Sequence, residues 1–168
     1  MTFKILRKRL AFEAEKAGIC DEWRRKILKA PSREYLLQLF IKGLDFAILN
    51  DFPSDELAAE FNDIAPAYGI FINREGSWRA DNRKRIIARE AVITPASYDG
   101  FSVGEVYALH GGAVEIIARG YAVVCATVET GAQVIAKAYD NAQVRIFRHG
   151  GQITTRQNGK ANIKIITP

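Results

Sequence analysis

The stretch AYDNAQVRIFRHGG, residues 138–151, begins and ends in turn chemistry, and between the turns it alternates apolar with polar residues. Asp140-Asn141 is followed by Ala142, then by Val144 and Ile146 two apart, then by Gly150-Gly151. A period of two belongs to a strand with one face buried. Such a stretch is either a lone strand or one unit of an array, and its neighbours decide between the two. Gly112-Ala113-Val114, Gly120-Tyr121-Ala122-Val123, Gly131-Ala132-Gln133-Val134, Asn141-Ala142-Gln143-Val144, Gly151-Gln152-Ile153 and Lys160-Ala161-Asn162-Ile163 recur at a spacing of about ten residues, with Gly100-Phe101-Ser102-Val103 upstream. The last half of the chain is a repeat.

Units of this length fit a β-solenoid (β-helix). They also fit an antiparallel β-meander or sandwich, because Gly-Gly, Asp-Asn and Asn-Gly close tight hairpins equally well. Recurrence of Ala then Val or Ile at one phase favours the solenoid, in which equivalent positions of successive coils stack directly over one another. Small Ala and branched Val suit a narrow interior, and Gly or Asn at the corners accepts positive φ.

Upstream, the pattern is helical. Phe3, Leu6, Leu10 and Ala14 recur at three and four, and Gly18 ends that helix. A short helix follows Asp21, with Trp23, Ile27 and Leu28 on one side. Pro31 and Ser32 introduce a helix from Arg33 to Asn50 with a broad apolar stripe, and Phe52-Pro53-Ser54 precedes another starting at Asp55-Glu56. Ile70, Phe71 and Ile72 between two glycines read as a brief strand. The polar segment from Arg74 to Lys84 reads as an exposed linker or loop. The expected class is therefore α+β: a helical region over 1–75 acting as a cap, a linker over 76–84, and the repeat region over 85–168. The cap is expected because an open strand edge invites further pairing.

The net charge of +5 is uneven. Residues 1–33 carry ten Lys/Arg against four Asp/Glu, whereas residues 34–66 carry Lys42 against seven acids. An anionic partner could meet the basic helices through Arg7, Lys8, Arg24, Arg25 and Lys29, or the basic and acidic helices could face each other. Cys20 and Cys125 have no CxxC or Cys/His spacing, so both read as free buried thiols, Cys125 as inert core. No stretch approaches the length of a membrane span, and the N-terminus lacks the apolar run of a signal peptide. A cytoplasmic protein without membrane contact is expected.

Runs such as AYDNAQV after a YDGFSV segment, preceded by IKGLDFAILNDFPS, resemble small β-helical proteins of phage, prophage and related bacterial genomes. The resemblance covers most of the chain. It implies the fold, and its context suggests a phage-encoded inhibitor of a host nuclease or defence complex such as an anti-CRISPR. It brings no catalytic residues.

The repeat offers little for chemistry. A polysaccharide-cleaving β-helix needs carboxylates gathered on one face, yet Glu105, Glu115, Glu129 and Asp140 fall at different phases. His110 and His149 each precede a glycine turn and read as corner residues. No Walker loop or GxGxxG occurs, and no cofactor, metal site or enzymatic activity is expected. One surface remains: Lys137, Tyr139, Arg145, Phe147 and His149 should point outward as two neighbouring basic-aromatic ridges if Val134, Ala136, Val144 and Ile146 point inward. These suit a protein partner, or alternatively single-stranded nucleic acid, or packing against the helical region. A virion or assembly component is a third class.

Overall fold

The computed structural model describes residues 1–73 and 76–168. Arg74, the first residue of the expected linker, lies outside them. The chain forms two units, Met1–Tyr68 and Gly69–Pro168.

The first unit contains α1 (Phe3–Lys16), α2 (Asp21–Leu28), α3 (Arg33–Lys42), α4 (Leu44–Leu49) and α5 (Asp55–Ala59), then a 3-10 turn at Ala65–Tyr68. Thr2 caps α1 and Ser32 caps α3; each side-chain oxygen accepts the backbone N–H three residues on, from Ile5 at 3.4 Å and from Tyr35 at 3.2 Å. Leu6, Leu10 and Ala14 bury the expected stripe of α1. The single helix expected from Arg33 to Asn50 is instead two. Gly43 ends α3 with an unwound ψ of 28°, consistent with the high backbone entropy cost of glycine in a helix.

The second unit is a parallel β-solenoid of about five turns. One sheet contains β1 (Ile70–Ile72), β3 (Arg85–Arg89), β5 (Val103–Ala108), β7 (Val123–Val128), β9 (Gln143–Arg148) and β11 (Asn162–Ile166), in that order. The other contains β2 (Ser77–Asp81), β4 (Val92–Tyr98), β6 (Ala113–Ala118), β8 (Gln133–Ala138) and β10 (Gln152–Gln157). Neighbouring strands in both sheets run parallel, which a meander cannot produce.

Two expectations need correction. The segment assigned to a linker contains β2, paired in register with β4 through Ser77–Val92 and Trp78–Ile93. The solenoid therefore starts at Gly69 and not at residue 85. Its low apolar content misleads because only Ala80 of that strand is fully buried. Second, the ten-residue unit is half a coil. Val134 stacks between Val114 and Ile153, while Val144 stacks between Val124 and Ile163 in the other sheet. Like sits over like at about twenty residues, once around the coil.

Inward columns such as Ile86-Val106-Ala126-Ile146 and Ala96-Ile116-Ala136 are fully buried. The bulge in β4, where two residues oppose Glu115 alone, holds Pro95, which has no N–H to lose from the ladder. At the corner leading from the five-stranded to the six-stranded sheet, one position per coil is left-handed: Asn82, Gly100, Gly120, Asp140 and Gly159, with φ from 51° to 71°. Asp140 tolerates this because its carboxylate accepts the N–H of Gly120 one coil back, at 3.0 Å. Replacing Asp140 with Gly should change stability by less than about 0.5 kcal/mol, because relief of the backbone offsets the lost bond. Val should cost about 2 kcal/mol. Thermal melting of the two variants checks the ranking.

Candidate interaction surface

Because the strands before and after a corner belong to different sheets, the residues expected to form two neighbouring ridges are separated. Lys137 faces outward on β8, where its Nζ donates to Glu115 Oε1 at 2.6 Å across one rung. Tyr139 sits in the next corner with the Arg119 guanidinium 5.4 Å over its ring. Arg145 and Phe147 lie outward on β9, in the six-stranded sheet. His149 is exposed at the opposite corner.

The fold brings together a different set. Phe101 and Tyr121 occupy equivalent corner positions one coil apart, with ring centroids 5.1 Å apart and planes within 6°. They are 84% and 57% exposed, and the next outward column contributes Val103 (60%) and Val123 (39%). Four large apolar side chains thus meet solvent along one edge of the six-stranded sheet. Further along the coil axis the same two columns become polar: Asn141 and Lys160 follow Tyr121, and Gln143 and Asn162 follow Val123. The column beside them reads Arg85, Glu105, Cys125, Arg145, Lys164. Arg85 Nη2 donates to Glu105 Oε2 at 2.6 Å, neutralising the carboxylate of that face. Both thiols depart from expectation: Cys20 is exposed, and Cys125 is a partly exposed member of this outer column. The apolar run around Cys125 concealed its phase, since Val123 and Cys125 point out while Val124 and Ala126 point in.

In the helical unit, the basic segment is partly matched by the acidic one. Arg9 of α1 forms a two-pronged pair with Glu56 of α5 at 2.5 and 2.7 Å. Arg33 pairs with Asp63, and the N-terminal amine lies 3.4 Å from Glu60. The hydrogen bonds from Arg9 and Arg33 hold Glu56 and Asp63 below the ordinary carboxylate range. Of the residues expected to meet an anion, Arg7 donates to the Ala30 carbonyl at 2.8 Å and Arg24 to Glu15 at 3.0 Å. Arg25 donates to its own helix at the Asp21 carbonyl, 3.2 Å. Lys8 and Lys29 are exposed.

Of Glu105, Glu115, Glu129 and Asp140, all but Glu129 bind a group one coil away through their carboxylates, among the described residues. His110 and His149 share a corner region two coils apart, and His110 Nε2 lies 4.0 Å from Glu90. Among the described residues, no group of three or more His, Cys, Asp or Glu is placed to hold a metal ion. No described helix is long and apolar enough to cross a membrane. No protein-family model, curated protein or solved structure matches the chain.

Proposed function

We propose that the chain is a non-enzymatic protein-interaction module whose anchor is the Phe101/Tyr121 corner with Val103 and Val123. The exposed aromatic ladder carries this reading. A cluster of large apolar side chains along one edge is costly in water and typical of a buried interface centre. The geometry of the rings favours protein over nucleic acid. A nucleobase needs an open aromatic face, but Phe101 and Tyr121 stack along the coil axis and spend a face on each other. Tyr139 gives a face to Arg119. Each of these rings keeps at most one open face, and the ring edges and valine methyls beside it accept apolar side chains.

The narrower reading, an inhibitor of a host nuclease or defence complex acting in the cytoplasm, rests on the resemblance to phage proteins. Capture experiments with intact chain and with a Phe101→Ser/Tyr121→Ser variant test the general one. The variant should lose its partner by about 100-fold or more in affinity, while its melting temperature stays within about 2 °C because the changed side chains are exposed. A variant that retains the same partner at equal affinity overturns the reading. Retention of single-stranded RNA or DNA that weakens steeply with salt, and depends on Arg24, Arg25 and Lys29, assigns the function to nucleic-acid binding instead.

A further inference from the structure

Resting on that protein-binding reading, we infer that the partner segment is acidic and extended, with an apolar anchor on the Phe101/Tyr121 corner and carboxylates on Arg145, Lys160 and Lys164. From residue 141 onward the chain carries Arg145, Arg148, Arg156, Lys160 and Lys164 and no Asp or Glu. The last acid is Asp140, whose carboxylate is engaged by Gly120. Lys160 continues the aromatic column itself, Arg145 and Lys164 continue the column on the other side of Val103 and Val123, and among the described residues none of the three has an ion-pair partner. The face is therefore apolar at one end and positive at the other.

Register turns this gradient into a spacing. Adjacent rungs of a sheet are about 4.8 Å apart, so along the coil axis Arg145 lies one rung, about 5 Å, beyond the rung of Tyr121 and Val123, and two strand positions, about 7 Å, to the side of the Val123 column. Lys160 and Lys164 lie two rungs, about 10 Å, beyond. An extended peptide advances about 3.3 Å per residue. A chain running along the coil axis over the Val123 column thus passes Arg145 with its second residue after the anchor, and with its third or fourth passes between Lys160 on one side and Lys164 on the other, each about 7 Å away across the sheet. The matching segment is a large apolar residue followed by carboxylates within about five positions. Opposite charge at this distance also steers encounter, which gives the pair a salt-dependent on-rate.

Random peptides displayed on phage and panned over the full immobilised chain test the assignment. The expected pool has carboxylates within about five residues of a large apolar side chain. Its members should bind Lys160→Glu/Lys164→Glu at least about tenfold more weakly and fail to bind Phe101→Ser/Tyr121→Ser. Both variants change exposed side chains, and unchanged melting confirms that they fold. A pool without acidic bias, or one bound equally well by the charge-reversed variant, overturns the acidic assignment and leaves the apolar anchor standing. A pool indifferent to the serine variant, or no enrichment at all, overturns both. Salt-sensitive binding of oligothymidylate that is lost in Lys160→Glu/Lys164→Glu gives the basic rungs to nucleic acid. Dimers seen by light scattering, and abolished by the serine variant, give the anchor to a second copy.

Discussion

Gly104→Val is expected to cost about 3–4 kcal/mol, although valine occupies the equivalent position in the next two coils. Gly104, Val124, Val144 and Ile163 form one inward column. The first member is glycine because the Tyr98 ring fills its space: a Cβ on Gly104 would overlap the ring atoms Cε1, Cζ and Cδ1. Tyr98 is fully buried, and its own column continues as Ala118 and Ala138, so a large residue in one sheet faces a missing side chain in the other. Overpacking of a tight interior ordinarily costs about 1–3 kcal/mol; a rigid ring enclosed by strands places this site at or above the top of that range. For a chain of this size that corresponds to a fall of very roughly 6–16 °C in Tm. Tyr98→Ala alone should cost a similar amount through its cavity. The double substitution should cost less than the sum of the two singles, with a coupling of about 1–3 kcal/mol. Simple additivity by urea denaturation would refute the proposed contact. The Tyr98 hydroxyl is buried without a hydrogen-bond partner among the described residues, and burial pushes its pKa up. Tyr98→Phe should therefore be neutral or stabilising by about 1 kcal/mol.

The same pair of residues marks where sequence alone stops. Alternation in the repeats was legible because inward Ala, Val and Ile are separated by polar residues, and it placed Val134, Ala136, Val144 and Ile146 inside. The stacking period was not extracted, because both half-coils bury similar residues and an Ala-Val phase of ten cannot say whether one or two units close a turn. The corners did hold the missing signal. Leu109-His110-Gly111-Gly112 and Glu129-Thr130-Gly131-Ala132 place the left-handed residue third, whereas Asp99-Gly100-Phe101-Ser102 and Arg119-Gly120-Tyr121-Ala122 place it second. That alternation has a period of twenty, and it aligns Phe101 with Tyr121. Without that period the expected site scatters: Arg145 and Phe147 lie on the six-stranded sheet, Lys137 does not, and the aromatic ladder stays hidden. β2 was illegible for another reason. A strand in the first coil has few of its neighbours in sequence, and its partner β4 follows a turn with Glu90 at a φ of 47°, where glycine would have advertised the corner.

Parity within one strand gives the second large effect. Ala136 is fully buried between Ile116 and Thr155, whereas its neighbour Ile135 is exposed between Glu115 and Thr154. Lysine at 135 would stand beside the Glu115 carboxylate on the adjacent rung and share it with Lys137. Its effect should lie within about 0.5 kcal/mol of zero or be slightly stabilising. Lysine at 136 must bury an ammonium between Ile116 and Thr155, where no carboxylate shares the column, and a loss of more than about 4 kcal/mol is expected at neutral pH. Ala136→Met separates volume from charge, since it overpacks the same space without an ion and should cost about 1–3 kcal/mol. The remaining gap between Lys and Met must depend on pH, with a definite sign. Desolvation lowers the pKa of the buried lysine below its unfolded value of about 10.4, so the unfolded chain binds more protons between the two values, and stability rises with pH through that window. The Lys-Met gap should be full below the folded-state pKa and close as the pH approaches about 10, while Ile135→Lys shows no such trend. Equal penalties at 135 and 136 would mean that the strand does not present alternate residues to opposite sides, and the stacked columns on which the Phe101/Tyr121 anchor depends would fail with it.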